Sequence, residues 1–248
     1  MQIDMSGKVV LITGSTRGLG LAIARGFAEA GASLVITSRK ADAVERVAAE
    51  FAAEGVNVLA HACNVGNWAE IEALVEAVYA HFGRVDVLVN NAGMSPLYPD
   101  LGSVTEALYD KVLAVNLKGP FRLSVLVGER MVEEGSGSII NISTGGAANP
   151  SPDFAAYGAA KAGLNNLTIS MAKAFAPSVR VNCIQAGPFM TDIANAWDID
   201  DTNEKLSHMQ AMGRIGEPGE IVGAALYFAG NQASYTTGAI LNVDGGLH

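Results

Sequence analysis

Residues 8–20 read KVVLITGSTRGLG, an apolar and largely β-branched run followed at once by a glycine-rich turn. The turn leads into a helical stretch, Gly18 to Ala30, so the local order is strand, turn and helix. Glycine is needed where a backbone turns sharply and approaches a pyrophosphate, and the helix that follows offers free N–H groups and its positive dipole end. This context predicts a dinucleotide site, for which a glycine-rich string alone would be weak evidence.

The same alternation of short apolar runs and longer amphipathic stretches continues along the chain. We predict further strands at 33–37, 57–62, 85–90, 138–143, 179–184 and 239–243, and helices at 42–54, 67–82, 105–134, 155–175 and 219–229. Continuous apolar strands separated by helices are typical of a parallel sheet that is buried on both faces. Right-handed crossovers then give a doubly wound α/β sheet of the Rossmann type. We expect one domain over residues 1–248, with a substrate-binding loop at about 186–216.

Composition excludes several classes of function. The 248 residues carry 16 basic and 25 acidic side chains, a net charge of −9, so nucleic acid and anionic membranes are not expected partners. The first ten residues lack the features of a signal peptide, and no apolar run reaches the length of a membrane span. The two cysteines, Cys63 and Cys183, are too few for a disulfide framework or a zinc site, so no metal is expected. A cytoplasmic protein is the simplest expectation.

Further motifs follow the glycine turn in a fixed order. The turn has the spacing TGxxxGxG at 13–20, and the later motifs are Asn90-Asn-Ala-Gly93, Asn116, Tyr157-x-x-x-Lys161, Gly187-x-x-x-Thr191 and a C-terminal stretch at 238–246 that ends Val-Asp-Gly-Gly. Over almost its whole length the chain resembles the short-chain dehydrogenase/reductase family. The resemblance implies an enzyme that transfers a hydride between NAD(P)(H) and a carbonyl or alcohol carbon of a small, fairly apolar substrate, such as a ketone or a 3-oxoacyl compound.

The resemblance also implies the residues that contact the cofactor. They are Gly14, Ser15, Thr16, Arg17, Gly18, Leu19 and Gly20 in the turn, Ser38 and Arg39 after the second strand, Asn64 and Val65 beside the adenine, Asn91, Ala92 and Gly93 under the nicotinamide, Tyr157 and Lys161, and Gly187, Phe189 and Thr191 near the carboxamide. The chain departs from the family at two of these regions: it has Asn64 where the family usually has aspartate, and Ala186 where proline is common.

The second strand ends in Thr37-Ser-Arg-Lys40, which determines the choice of nicotinamide. An acidic residue here would accept the ribose hydroxyls of NAD, and none is present. Arg39 and Arg17 could instead hold a 2′-phosphate from two sides, although two solvated arginines would also fit the pattern. We therefore expect NADP(H) in preference to NAD(H).

The catalytic candidates are Tyr157 and Lys161, which share a helix face because they are four residues apart. A phenol has a pKa of about 10, and a nearby ammonium group and an oxidised nicotinamide would both lower it. Tyr157 would then exchange the proton with the carbonyl oxygen. The resemblance adds that Lys161 bonds the ribose and that Asn116 holds a relay water. The family's serine, 13 residues before the tyrosine, is Thr144 here, with Ser143 as the alternate hydroxyl.

The substrate site and the assembly are less tightly defined by the sequence. Candidate lining residues are Met94, Ser95, Phe154, Phe189, Met190 and Trp197, which either form an apolar pocket or only pack loops against the body. Helices at 105–134 and 155–175 are apolar on more than one face, which favours a homo-oligomer, a tetramer or dimer. The alternatives are a catalytically silent NADP-binding regulatory protein, an NAD-linked alcohol dehydrogenase, or a cofactor-independent lyase or dehalogenase on the same scaffold.

Overall fold

The computed structural model of the chain describes residues 3–191 and 210–247. Trp197, one of the predicted substrate residues, lies outside the described residues, as does the middle of the predicted substrate loop. Within the described part, the element order alternates strands and helices, as the sequence pattern predicts.

A single seven-stranded sheet forms the centre of the molecule, with every neighbouring pair of strands parallel. The strands are β1 (Val9–Thr13), β2 (Ser33–Thr37), β3 (Val58–Ala60), β4 (Val87–Asn90), β5 (Gly137–Thr144), β6 (Val179–Ala186) and β7 (Ile240–Val243). Their order across the sheet is β3-β2-β1-β4-β5-β6-β7, so the winding direction reverses between β1 and β4. This reversal opens a crevice at the carboxyl ends of the strands, where ligands bind in such sheets. The predicted doubly wound fold is confirmed.

Helices cover both faces of the sheet, and local signals fix several of their ends. They are α1 (Gly18–Glu29), α2 (Ala41–Ala53), α3 (Trp68–Phe82), α4 (Glu106–Leu113), α5 (Gly119–Glu134), α6 (Ala155–Phe175) and α7 (Val222–Ala229). The side chain of Asn67 accepts from the backbone N–H groups of Ala69 and Glu70 and so caps the start of α3. α3 and α5 end at Gly83 and Gly135, each with a positive φ that suits glycine.

The helical region predicted at 105–134 is observed from Glu106 to Glu134, with a change of helix type in its middle. A five-residue π-helix, Ala114–Lys118, separates α4 from α5. The predicted helix at 219–229 likewise begins as a 3-10 turn, Pro218–Ile221, before α7. The first case bears on the site, because the interruption contains Asn116.

The core lies in two layers, one on each face of the sheet, because successive strand residues point to opposite sides. Val10 and Ile12 of β1 pack in the layer with α1, α2 and α7, whereas Val9 and Leu11 pack in the layer with α3, α5 and α6. β1, β2 and β4 are therefore apolar at nearly every position, as expected for strands buried on both faces, whereas β5 and β6 also carry buried polar side chains such as Asn141 and Asn182.

Across 3–191 and 210–247, no helix is both long and apolar enough to cross a membrane. In the same ranges, His, Cys, Asp and Glu side chains form no group of three or more that could hold a metal ion.

Candidate active site

The glycine turn after β1 is tied to the ends of both neighbouring strands. On one side, the Thr13 hydroxyl accepts from the backbone N–H groups of Asn91 and Ala92, both at 3.0 Å, and the Asn91 amide donates to the Thr13 carbonyl at 2.9 Å. On the other side, the Thr37 carbonyl accepts from the N–H groups of Gly14 and Ser15 at 2.9 and 3.2 Å. These bonds hold the turn rigidly at the point where the winding of the sheet reverses.

Three glycines of the turn are required by its geometry. Gly14 and Gly18 have φ angles of 67° and 55°, which are strained for any residue with a side chain. A Cβ at Gly20 would overlap the carbonyl oxygen of Gly14, and one at Gly18 would lie 3.3 Å from Thr191 Cγ2. The turn thus leaves backbone exposed at the start of α1 and brings Thr191, from the far side of the crevice, next to it. This cradle fits a dinucleotide pyrophosphate, with the helix dipole directed at it.

The residues predicted for the adenosine half surround the same turn. The Ser15 hydroxyl is buried and accepts from the Thr37 N–H at 3.0 Å, so its contact is with β2. Beyond β2, Ser38 is held through its carbonyl, which accepts from the Cys63 N–H at 2.9 Å. Thr16 and Leu19 are half-buried in the turn, and Arg17 and Arg39 are both exposed.

Asn64 and Val65 lie at the start of the turn that leads to α3. The Asn64 Oδ1 accepts from the Gly66 N–H at 3.1 Å, and its backbone N–H donates to Glu70 at 2.8 Å. An aspartate would accept the same bond from Gly66, so the asparagine preserves this turn. Val65 is buried beside it.

The side chain of Asn116 explains the π-helix. Its amide nitrogen donates to the carbonyls of Val112 and Met94 at 2.9 and 2.8 Å, and its Oδ1 accepts from the Met94 N–H at 3.1 Å. One amide proton therefore joins the helix to the loop after β4, and the other is used within the helix, at the Val112 carbonyl. A Cβ at Gly93 would lie 3.1 Å from Asn116 Oδ1 and 3.8 Å from Lys161 Nζ, so these groups meet under the nicotinamide half of the crevice.

Tyr157, Lys161 and Thr144 come together where β5 ends and α6 begins. The Lys161 ammonium donates to the Ile142 carbonyl at 2.7 Å and lies 5.9 Å from the centre of the Tyr157 ring. The Thr144 hydroxyl accepts from the Gly146 N–H at 3.3 Å and lies near enough to the Tyr157 phenol to lower the pKa of that phenol. A proton donor, a hydroxyl that can share the same acceptor and a buried cation thus face one point of the crevice.

Burial controls the protonation of the Tyr157–Lys161 pair. It raises the pKa of the Tyr157 phenol above its usual value, and the Thr144 hydroxyl lowers that pKa by less. Burial also lowers the pKa of Lys161 to about 8. The protein alone therefore keeps the phenol protonated, and the sequence-based expectation of a lowered tyrosine pKa depends on the positive charge of an oxidised nicotinamide.

Ser143, the alternate hydroxyl, lies on the α6 side of the sheet, and its hydroxyl is bonded to the backbone of that helix. It is 3% exposed, and its hydroxyl donates to the Lys161 carbonyl at 3.4 Å. On the neighbouring strand β6, the Cys183 thiol donates to Asn165 Oδ1 at 3.4 Å, and burial raises the pKa of this thiol to about 12. Ser143 therefore supports the backbone of α6, and Thr144 presents the hydroxyl to the site.

The described substrate candidates lie in loops around this point. The Phe154 ring packs on Gly146, where a Cβ would lie 2.6 Å from it, and so borders the loop after Thr144. Met94 is half-buried next to Asn116, and Ser95 is exposed. Met190 is half-buried and its N–H donates to the Gly216 carbonyl at 2.8 Å, whereas Phe189 is only 6% exposed and belongs to the core layer. Gly187 lies close to Asp244 at the end of β7.

Tyr98 joins two of these loops and was not singled out from the sequence. Its hydroxyl donates to the Pro152 carbonyl at 2.8 Å and accepts from the Ala155 N–H at 2.6 Å. Ala155 is the first residue of α6, and Phe154 before it provides no side-chain cap. A tyrosine in a loop carries no local sequence signal for such a bond, since its partners lie more than fifty residues away.

Comparisons with known proteins identify the family. A family model described as enoyl-(acyl carrier protein) reductase matches residues 14–248. The chain is 36% identical over 244 residues to dehydrogenase/reductase SDR family member 4 of Pongo abelii, covering 98% of this chain and 88% of that protein.

Solved structures of similar fold belong to the same family of proteins. A gluconate 5-dehydrogenase from Burkholderia cenocepacia in complex with NADP and tartrate is 33% identical, with a TM-score of 0.94 over 99% of this chain and 97% of that one. A 7α-hydroxysteroid dehydrogenase complexed with NADH and 7-oxo glycochenodeoxycholic acid is 32% identical, with a TM-score of 0.93 and coverage of 99% and 96%. The chain therefore belongs to the short-chain dehydrogenase/reductase family of oxidoreductases.

Proposed function

We propose that this protein transfers a hydride between NADP(H) and the carbonyl or alcohol carbon of a small, fairly apolar substrate such as a ketone or 3-oxoacyl compound. The observation that carries the proposal is the meeting of Thr144, Tyr157 and Lys161 beside a glycine cradle. The nicotinamide, when bound, supplies or accepts the hydride.

The chain's own residues then have distinct tasks. In reduction, the Tyr157 hydroxyl donates its proton to the carbonyl oxygen, and the Thr144 hydroxyl donates a hydrogen bond that orients the same oxygen. Lys161, as an ammonium, binds the ribose and favours the phenolate that remains on Tyr157. Asn116 holds the helix and the loop after β4 in register, so a relay water would have to use its carbonyl or the free lone pair of Oδ1.

The preference for NADP(H) rests on the residues after β2. Ser38 stands where a carboxylate would exclude a 2′-phosphate, and the exposed guanidinium groups of Arg39 and Arg17 belong to the segments that flank the adenosine half. The relatives do not decide this point, because one is complexed with NADP and another with NADH.

A homo-oligomer, a tetramer or dimer, is part of the proposal. Phe121 and Val132 on α5 and Ile169 on α6 are 39–40% exposed, which places large apolar side chains on the solvent side of two neighbouring helices. Helices of this kind commonly bury that second face against a copy of the same chain.

The test is the loss of NADPH absorbance with a panel of ketones and 3-oxoacyl esters. The wild type should turn over members of the panel, and Tyr157→Phe should lose about 10²- to 10⁴-fold in kcat, the usual worth of a general acid. Tyr235→Phe is the matched control, because Tyr235 is fully exposed. Tight NADPH binding without turnover of any carbonyl or alcohol would instead support the regulatory alternative.

A further inference from the structure

Residues 244–247, called the tail below, return to the catalytic loop, which is the loop that begins at Gly145 directly after Thr144. β7 ends at Val243, and the tail then turns sharply at Gly245 and Gly246, whose φ angles are 70° and 75°. The Asp244 carboxylate accepts from the Gly246 N–H at 3.0 Å and the Leu247 N–H at 3.5 Å, which fixes the turn. The turn sends Leu247 back over the carboxyl ends of the strands.

Leu247 rests directly on the residue that follows Thr144. Its Cδ2 lies 2.8 Å from the place where a Cβ on Gly145 would be. Gly145 is not among the glycines with positive φ, so its backbone would accept a side chain, and the close approach of Leu247 is what requires glycine here. Gly145 is itself fixed, since its carbonyl accepts from the Ala148 and Asn149 N–H groups at 3.0 and 2.9 Å.

The other side of the tail is held by the segment 210–212. Gln210 pairs with Leu247 in an antiparallel bridge, and its amide donates to the Asp244 carbonyl at 2.6 Å. The N–H groups of Ala211 and Met212 donate to the Gly246 and Gly245 carbonyls at 3.1 and 2.9 Å. The tail therefore lies between this segment and the catalytic loop, and a half-buried leucine occupies the contact.

From this placement we propose that Leu247 is a specificity-determining residue, an apolar wall that limits the size of the group attached to the reacting carbonyl carbon. The inference rests on the proposed function. The carbonyl oxygen must lie between the Thr144 and Tyr157 hydroxyls, so a substituent on that carbon reaches the loop beginning at Gly145. Leu247 is the side chain that covers this residue from the tail.

The experiment compares a compact and a bulky ketone in wild type, Leu247→Ala, Gly145→Ala and the double variant. Leu247→Ala should raise the ratio of kcat/KM for bulky over compact ketone about tenfold, the usual worth of a few carbons in an apolar pocket. NADPH affinity should not change. Gly145→Ala should displace Leu247 toward the bound substituent, because the new Cβ would lie 2.8 Å from its Cδ2, and so lower kcat/KM for the bulky ketone. The double variant should recover kcat/KM. Leu59→Ala, a half-buried leucine on β3, is the matched control.

The outcomes separate the two proposals. If none of the ketones supports NADPH oxidation by the wild type, the proposed function is refuted. An active wild type whose selectivity is the same in Leu247→Ala, or a double variant no better than Gly145→Ala, would overturn the role of Leu247 and leave the proposed function standing.

Discussion

Replacing Tyr98 with phenylalanine removes one hydroxyl and keeps the ring. The hydroxyl makes two short hydrogen bonds, to the Pro152 carbonyl and from the Ala155 N–H, and the second satisfies the first turn of α6. At 0.5–1.5 kcal/mol for each bond, with water partly replacing them at this half-exposed place, the loss is about 1–2 kcal/mol. For a chain of this size that corresponds to a Tm lower by about 2–8 °C.

Activity should fall as well, because α6 carries Tyr157 and Lys161. If the loss of about 1–2 kcal/mol displaces Tyr157 from the carbonyl and raises the activation free energy by the same amount, kcat falls about 5- to 30-fold. The assay is thermal unfolding together with NADPH-dependent ketone reduction, and Tyr235→Phe, at a fully exposed tyrosine, is the control. NADPH affinity should be retained, since the Tyr98 hydroxyl bonds to Pro152 and to Ala155, the first residue of α6, and to no residue of the glycine turn. A variant with unchanged Tm and unchanged kcat would refute the argument.

Three further predictions concern the cofactor, pH and assembly. Arg39→Asp should weaken NADPH binding by about 10- to 100-fold and leave NADH bound equally or more tightly. The matched charge reversal Arg46→Asp, on α2, should change neither affinity. Fluorescence titration measures both affinities. Ketone reduction should fall as pH rises through about 8, because burial lowers the pKa of Lys161 to that value and the ammonium is lost above it, while the raised pKa of Tyr157 keeps the phenol protonated. A pH–rate profile of kcat/KM checks this, and a flat profile up to pH 10 would contradict it. Ile169→Glu should lower the mass measured by light scattering, and a monomeric wild type would show the oligomer proposal to be wrong.

Most of the fold was predictable because its signals are local. A buried strand such as β2 is a continuous apolar run, and a helix such as α6 shows amphipathic periodicity. The predicted ends of β2 and α6 match the observed ends, and most other elements agree within about two residues. The carboxyl ends of parallel strands share one edge, so motifs that follow β1, β4, β5 and β6 were bound to meet. The glycine turn was predictable because backbone positions with positive φ angles favour glycine, so the turn is visible in the sequence as a local pattern.

The features that were not predictable depend on partners distant in the sequence. The π-helix between α4 and α5 follows from the bonds of Asn116 to Met94, 22 residues away, which no helical periodicity reveals. The role of Tyr98 depends on Ala155, and that of Leu247 on Gly145. The choice between Thr144 and Ser143 depends on the bond from the Ser143 hydroxyl to the Lys161 carbonyl, 18 residues away, which no local pattern reveals.

The most direct test of the account titrates the purified protein with NADPH and NADH in the same buffer and salt. Both should bind in the glycine cradle, and NADPH should bind about tenfold or more tightly, because arginine donors meet its 2′-phosphate. Tighter binding of NADH would contradict the assignment of Ser38 and Arg39, and binding of neither would contradict the dinucleotide site itself.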